Sequence, residues 1–296
     1  MIEATGLTKR FGPQTAVHDL SFRCEPGTVT GFLGPNGAGK STTLRMICGL
    51  TSRTGGAATV LGEDYRRISN PALHVGVMLD ASAQHPGRKG REILRVCADT
   101  IGADRGRIGE MLTLVGLDDA AAKRRVGKYS LGMRQRLGLA QVLIGDPSVL
   151  ILDEPANGLD PQGIIWMRQL LRRFADDGGT VLLSSHLLNE VEVIADRLLL
   201  IDKGKLVASG SKAELLTATG TAVRSPDPTA LAAALTAAGI DFTEADGTLI
   251  ADARPEAVGA AAHAGNVALS ELRAADGGGL EGLFLSLTSS ETEAGG

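Results

Sequence analysis

No stretch of the 296-residue sequence reaches about 18 consecutive apolar residues, the length a bilayer-spanning helix needs. The opening residues, MIEATGLTKRFG, lack the apolar core of a secretory signal. These absences predict a cytoplasmic protein whose membrane role, if it has one, comes through a partner. Cysteine is scarce: Cys24, Cys48 and Cys97 lie far apart, with no CxxC pair and no even-numbered framework. That argues against a disulfide scaffold and a cysteine metal centre, and predicts reduced, mostly buried thiols. There is no Lys/Arg-rich run and the net charge is −4, so nothing calls for a nucleic-acid partner. Lysine is missing altogether from residues 221–296, where three Arg stand against eleven Asp/Glu, a net −8 that leaves +4 for the preceding chain. Alanine and glycine dominate the same stretch, so both shifts predict a domain boundary there. The expected organisation is a first domain over 1–217, a small accessory domain over 221–290 and a disordered tail over 291–296.

What is present suits a globular chain with a sizeable core: 43% hydrophobic and 22% charged residues. Breaks at Phe11-Gly12-Pro13 and Glu25-Pro26-Gly27 separate short strands, and Thr28–Leu33 reads as another. A Gly-rich loop then leads into a helix over Ser41–Leu50. Val75–Leu79, Val149–Leu152, Thr180–Leu183 and Arg197–Ile201 are short apolar runs, as strands buried on both faces require. Helical periodicity fills 91–145, and helices are expected over 161–176 and 187–196. Strand–helix alternation of this kind predicts an α/β domain with a largely parallel sheet. The tail reads β-α-β-β-α-β, a small split-βαβ sandwich: a strand at Ala222–Arg224, helices over Pro228–Ala238 and Pro255–Ala264, and a hairpin over Phe242–Ala251 turning at Asp246-Gly247. A strand at Val267–Leu272 and a last helix over Leu280–Leu287 complete it.

Gly34-Pro35-Asn36-Gly37-Ala38-Gly39-Lys40-Ser41 fits the pattern G-x-x-x-x-G-K-[ST], with a strand before it and a helix after it. Glycines let the backbone curl so that successive N–H groups point inward at phosphates, and the helix start adds its positive end. Lys40 supplies a point charge for the β- and γ-phosphates, the Ser41 hydroxyl suits Mg²⁺, and Thr42 is a further candidate phosphate contact. The second motif, Val149-Leu150-Ile151-Leu152-Asp153-Glu154-Pro155, is a buried strand whose end presents two acids. Ligands collect at the carboxyl ends of such strands. Asp153 is expected to hold Mg²⁺ through water, and Glu154 to polarise the attacking water as general base. Together the motifs predict ATP·Mg²⁺ binding and hydrolysis.

Tyr129-Ser130-Leu131-Gly132-Met133-Arg134-Gln135-Arg136 resembles the signature motif of ABC transporter nucleotide-binding subunits, Leu-Ser-Gly-Gly-Gln in its commonest form. The family's order of features runs through residues 1–215: Phe11, the P-loop, the signature, the acidic strand, the Asn157-Gly158-Leu159-Asp160 turn and His186. The resemblance implies a P-loop ABC ATPase fold: a mostly parallel core sheet, N-terminal antiparallel strands and a helical subdomain over about 85–145, followed here by the small α+β domain. It implies a head-to-tail dimer in which ATP lies between one P-loop and the partner's Ser130 and Gly132. It assigns Phe11 to the adenine, His186 to the γ-phosphate and Asp160 to the cross-dimer contact.

The sequence departs from the family at Leu131 and Met133, which replace Gly and Gln, and at Asp80, where most members have a Gln that contacts Mg²⁺ and the attacking water. Asp80 is the favoured occupant of that role, with Gln84 as the alternative. The signature variant, the Leu79–Arg88 stretch and the C-terminal appendage resemble a bacterial subgroup that powers export of drugs, antibiotics, lipids or polysaccharides. Its members drive a separately encoded permease, so the expected partners are a second ATPase subunit, as a homodimer, and that permease at the cytoplasmic face of the membrane. Two competing classes fit less well. Ribosome-acting relatives carry two cassettes and this chain has one P-loop, while DNA-acting relatives split the cassette with long coiled coils that are absent here. A catalytically silent subunit is disfavoured because Lys40, Glu154 and His186 are all present.

Overall fold

The computed structural model describes residues 1–80, 83–215, 220–245 and 247–274. The expected last helix at Leu280–Leu287, the tail over 291–296 and the hairpin residue Asp246 lie outside them. The chain divides into two compact units, Met1–Lys212 and Ala213–Gly296.

The first unit opens with β1 (Ile2–Phe11), β2 (Gln14–Cys24) and β3 (Val29–Leu33). Helix α1 (Lys40–Ile47), β4 (Gly55–Val60) and β5 (Val75–Met78) follow. Four helices come next, α2 (Gly90–Ile101), α3 (Arg107–Leu114), α4 (Asp119–Lys123) and α5 (Leu131–Leu143). The unit continues through β6 (Val149–Asp153), α6 (Pro161–Asp176), β7 (Thr180–Ser185) and α7 (Leu188–Ile194). It closes with the antiparallel pair β8 (Arg197–Asp202) and β9 (Lys205–Ser211). Helix α8 is the short Lys212–Leu215.

Two sheets organise this unit. The antiparallel one runs β2-β1-β4, and the six-stranded one runs β5-β6-β7-β3-β8-β9, parallel except for β9. All five residues of β3 and all six of β7 are buried, the expected consequence of covering both faces of a parallel sheet. One core joins the sheets: Leu7, Leu20 and Phe22 meet Phe32, Leu44, Ile151 and Leu182. Cys24 and Cys48 lie in it as free thiols, and burial pushes each pKa up to about 12, which keeps them protonated and inert. Cys97 is also free and half-buried.

Helix α6 shows why a boundary was readable from local chemistry. Pro161 sits in its first turn, where its fixed φ suits a helix start. Asp160 caps it by accepting a hydrogen bond from the Gly163 N–H at 3.0 Å. Two strands departed from expectation. Gly-Gly-Ala-Ala in β4 carries no β-branched pattern, and β9 is an edge strand too polar to resemble a buried run; neither was anticipated.

The second unit contains β10 (Thr221–Arg224), α9 (Pro228–Ala237), β11 (Phe242–Ala245), β12 (Thr248–Ala251), α10 (Pro255–Ala264) and β13 (Glu271–Ala274). Its sheet order is β11-β12-β10-β13, antiparallel throughout, which is the split-βαβ arrangement. Val223, Leu249 and Ala251 on one sheet face pack against Leu231, Leu235 and Val258 of the helices. The last strand begins at Glu271, later than the expected Val267–Leu272. Val267 and Leu269 instead pack on this core from the connecting segment, so their apolar character reports burial and not a ladder.

Candidate active site

Four neighbouring strands of the parallel sheet end at one edge, and each carries part of the site there. In sheet order, β5 leads to Asp80, β6 to Asp153 and Glu154, β7 to Ser185 and His186, and β3 to the loop from Gly34 to Gly39. Parallel pairing is the reason: register aligns Met78 with Leu152, Asp153 with Ser184 and Ser185 with Leu33, so all four chains turn off at the same level.

The loop after β3 closes on α1. Gly39 adopts φ 106°, a region open to glycine, and a Cβ there would lie 2.6 Å from the Ala16 carbonyl oxygen. Helix α1 has no side-chain cap and no acid in its first turn, so nothing competes with an anion for its positive end. A hollow of about 210 Å³ results, lined by Ala16, Pro35, Asn36, Gly37, Gly39, Lys40, Ser41, Thr42 and Glu154. Gly34 and Ala38 of the same loop are buried and do not line it. Lys40 is 6% exposed, and its ammonium donates to the carbonyls of Gly34 at 2.6 Å and Pro35 at 3.1 Å. Burial lowers its pKa, and the Glu154 and Asp153 carboxylates partly oppose that.

Glu154 ties the two motifs together. One carboxylate oxygen lies 3.9 Å from the Lys40 ammonium, and the other is 2.8 Å from Nδ1 of His186. Its backbone has φ 50°, uncommon for a residue with a Cβ, and this turns the side chain off the strand toward the hollow. The strained turn is held from two sides. The Glu154 N–H donates to the Ser184 carbonyl and hydroxyl, both at 3.2 Å, and the Ser184 hydroxyl in turn donates to Asp153. From α5, the amide of Gln135 donates to the carbonyls of Pro155 at 2.7 Å and Glu154 at 3.2 Å. Both Ser184 and Gln135 are buried. Neither stood out in the sequence; Gln135 lies within the signature stretch, while Ser184 is identified only by register.

The anticipated residues therefore split into groups. Lys40, Ser41, Thr42 and Glu154 converge on the hollow, with His186 bonded to Glu154 and Asp153 beside it. Asp80 is exposed just past the end of β5. The Gln84 amide turns to the helices, donating to the Arg134 carbonyl and to Gln141, both at 3.0 Å. Phe11 is half-exposed at the end of β1, with the Lys9 ammonium 4.7 Å from its ring centroid. Ser130 and Gly132 do not line the hollow. Ser130 caps α5 by accepting from the Met133 N–H at 3.2 Å, and a Cβ on Gly132 would lie 2.9 Å from the Gly158 carbonyl.

Serine and aspartate oxygens are the hard donors Mg²⁺ takes, usually one or two from protein with the rest from phosphate and water. Ser41 and Asp153 fit that set. Among the described residues no group of three His, Cys, Asp or Glu forms a self-contained metal cage.

The family described as "ABC transporter" matches residues 17–157, and a "Domain of unknown function (DUF8746)" matches 219–281. The chain is 43% identical over 210 residues to an uncharacterised ABC transporter ATP-binding protein, YhcH, of Bacillus subtilis, covering 70% of this chain and 68% of that protein. It is 41% identical over 210 residues to the bacitracin transport ATP-binding protein BcrA of Bacillus licheniformis, with the same coverage. A solved ATP-binding subunit of an ABC transporter superposes with a TM-score of 0.67 at 25% identity, over 73% of this chain and 91% of that one. The chain belongs to the ABC transporter family, among its ATP-binding subunits.

Proposed function

We propose that the hollow at Gly34–Thr42 holds the phosphates of ATP and that Glu154 activates the water that cleaves the γ-phosphate. The observation that carries this reading is Glu154 itself, poised between the buried Lys40 ammonium and the His186 ring at the mouth of the cradle. Lys40 neutralises phosphate charge. Glu154 accepts the proton of the attacking water. His186, bonded to Glu154, orients that carboxylate and faces the γ-phosphate. Mg²⁺, when bound, supplies charge neutralisation at the β- and γ-phosphates, with Ser41, Asp153 and, beyond them, Asp80 as its side of the site. Phe11 stacks on the adenine.

The site is half of a functional one. Ser130 and Gly132 head a helix away from the hollow of their own chain, which supports their use on ATP held by a second copy. ATP then joins two subunits, with Asp160 at the shared contact, and hydrolysis releases them. The stroke drives a separate membrane permease docked on the helical region around 85–145. No helix among the described residues is long and apolar enough to cross a membrane; the location that goes with this role is peripheral, at the cytoplasmic face through that permease. The name of the bacitracin-transport relative supports transport of an antibiotic, and the reading here is export of a drug, antibiotic or lipid-like compound. We assign 1–217 to the ATPase domain and 221–290 to an accessory domain.

The test is Glu154→Gln. With Mg·ATP this variant is expected to hydrolyse on the order of 10³-fold slower and to elute as a dimer in size-exclusion chromatography. Hydrolysis at the parental rate ends the reading.

A further inference from the structure

Glu154 sits in a backbone conformation that a residue with a side chain seldom adopts, φ 50°, immediately before Pro155. Such a turn persists only where surrounding bonds over-determine it. On the strand side, Ser184 does this through the Glu154 N–H. On the carbonyl side the Asn157 N–H donates to the Glu154 oxygen at 3.2 Å, and proline has no N–H to contribute. The side chain that meets both carbonyls is Gln135, 3% exposed, with one amide nitrogen 2.7 Å from the Pro155 oxygen and 3.2 Å from the Glu154 oxygen. Two carbonyl partners fix that atom as the nitrogen, since an amide oxygen there would meet only acceptors.

Resting on the hydrolytic role read for Glu154 above, we propose that Gln135 is the positioning residue of the general base. Its amide clamps both carbonyls of the 154–155 turn and thereby aims the Glu154 carboxylate at the phosphate cradle. Gln135 does not line the hollow and acts through Glu154. The clamp also has a direction. Gln135 belongs to α5, the helix that Ser130 caps, so the base of each site is bonded to the helix presenting the signature residues. Losing that donor strips the buried Pro155 carbonyl of its Gln135 partner, leaves the Glu154 carbonyl to the Asn157 N–H alone, and frees the strained turn to relax. Misplacing a catalytic group by about 1 Å costs on the order of a hundredfold.

The experiment uses Gln135→Met, which keeps length and volume while removing both donors. Steady-state hydrolysis of Mg·ATP by the full chain should show kcat lower by about ten- to a hundredfold with KM changed less than twofold. In the Glu154→Gln background, Gln135→Met should still give the ATP-dependent dimer, because nucleotide binding and the signature face stay intact. A second variant, Gln135→Glu, places a carboxylate against two carbonyls and should lower kcat at least as far. Parental kcat in Gln135→Met overturns the proposal. So does a loss of the dimer, since Gln135 would then serve the folding of α5 and not the base. If Glu154→Gln hydrolyses at the parental rate, the functional reading itself fails, and that outcome is separate from either of these.

Discussion

The two units of this chain are built from similar parts and differ in where their strands end. Each lays helices on a sheet, and in each an Asp followed by Pro starts a helix, Asp160-Pro161 in one and Asp227-Pro228 in the other. The first unit runs five strands in parallel, so their carboxyl ends share one edge, and there Asp80, Asp153, Glu154, His186 and the phosphate loop assemble. The second unit's four strands are antiparallel, so carboxyl ends alternate between opposite edges. Its interactions are those of a packed core: Val223, Leu231, Leu235, Leu249 and Val258. Parallel topology concentrates chemistry and antiparallel topology distributes it, which is why a motif-rich region adjoins one that carries composition but no motif.

The sharpest break in that comparison is at Lys40. Replacing it with Ala removes the one buried ammonium of the cradle and leaves the carbonyls of Gly34 and Pro35 without that donor. ATP hydrolysis should fall by at least about 10³-fold, the scale expected of a charge placed on a transferring phosphoryl group. A coupled-enzyme ATPase assay checks it. Activity within tenfold of the parent would mean that the cradle is not the site of the chemistry.

A matched pair of cavities separates the units by their cores. Ile151 and Leu235 are both fully buried, the first two residues before Asp153 and the second in α9. Truncating either to Ala should cost about 2–5 kcal/mol, seen in denaturant unfolding. Ile151→Ala should also reduce hydrolysis, because β6 positions the acids. Leu235→Ala should leave kcat within twofold. Equal loss of activity in both would show that the accessory unit supports the catalytic one.

What could be read in the sequence follows the same division. Contiguous chemistry was legible: the P-loop, the acidic end of β6 and helix α6 from Pro161 to Asp176 are each declared by adjacent residues. Chemistry made by register was not. Ser184 reaches Asp153 and Glu154 because β7 pairs with β6, and Gln135 reaches the same turn from a helix, contacts that no local pattern encodes. Gln84 was the alternative to Asp80 on proximity in sequence, and its amide is bonded to the Arg134 carbonyl and to Gln141, contacts that proximity does not reveal. In the second unit, apolar residues marked the core correctly at Val267 and Leu269 but misplaced the strand, which starts at Glu271. Burial and ladder pairing are different properties, and an alanine-rich segment reveals only the first.

The smallest effect is the most discriminating, because the two helix caps make the same hydrogen bond in different surroundings. Asp160 accepts from Gly163 and Asp227 from Ala230, each at 3.0 Å and each one residue before a proline. Replacement by Ala should cost about 1 kcal/mol in either unit, the usual value of such a cap. By thermal unfolding the two variants should be alike. They should part in the Glu154→Gln background with Mg·ATP. Asp227→Ala keeps the dimer, whereas Asp160→Ala weakens it, because Asp160 is assigned a contact with the second subunit as well as a cap. If both variants dimerise equally well, Asp160 is a cap and nothing more, and the contact between the two copies must be sought at Ser130 and Gly132 alone.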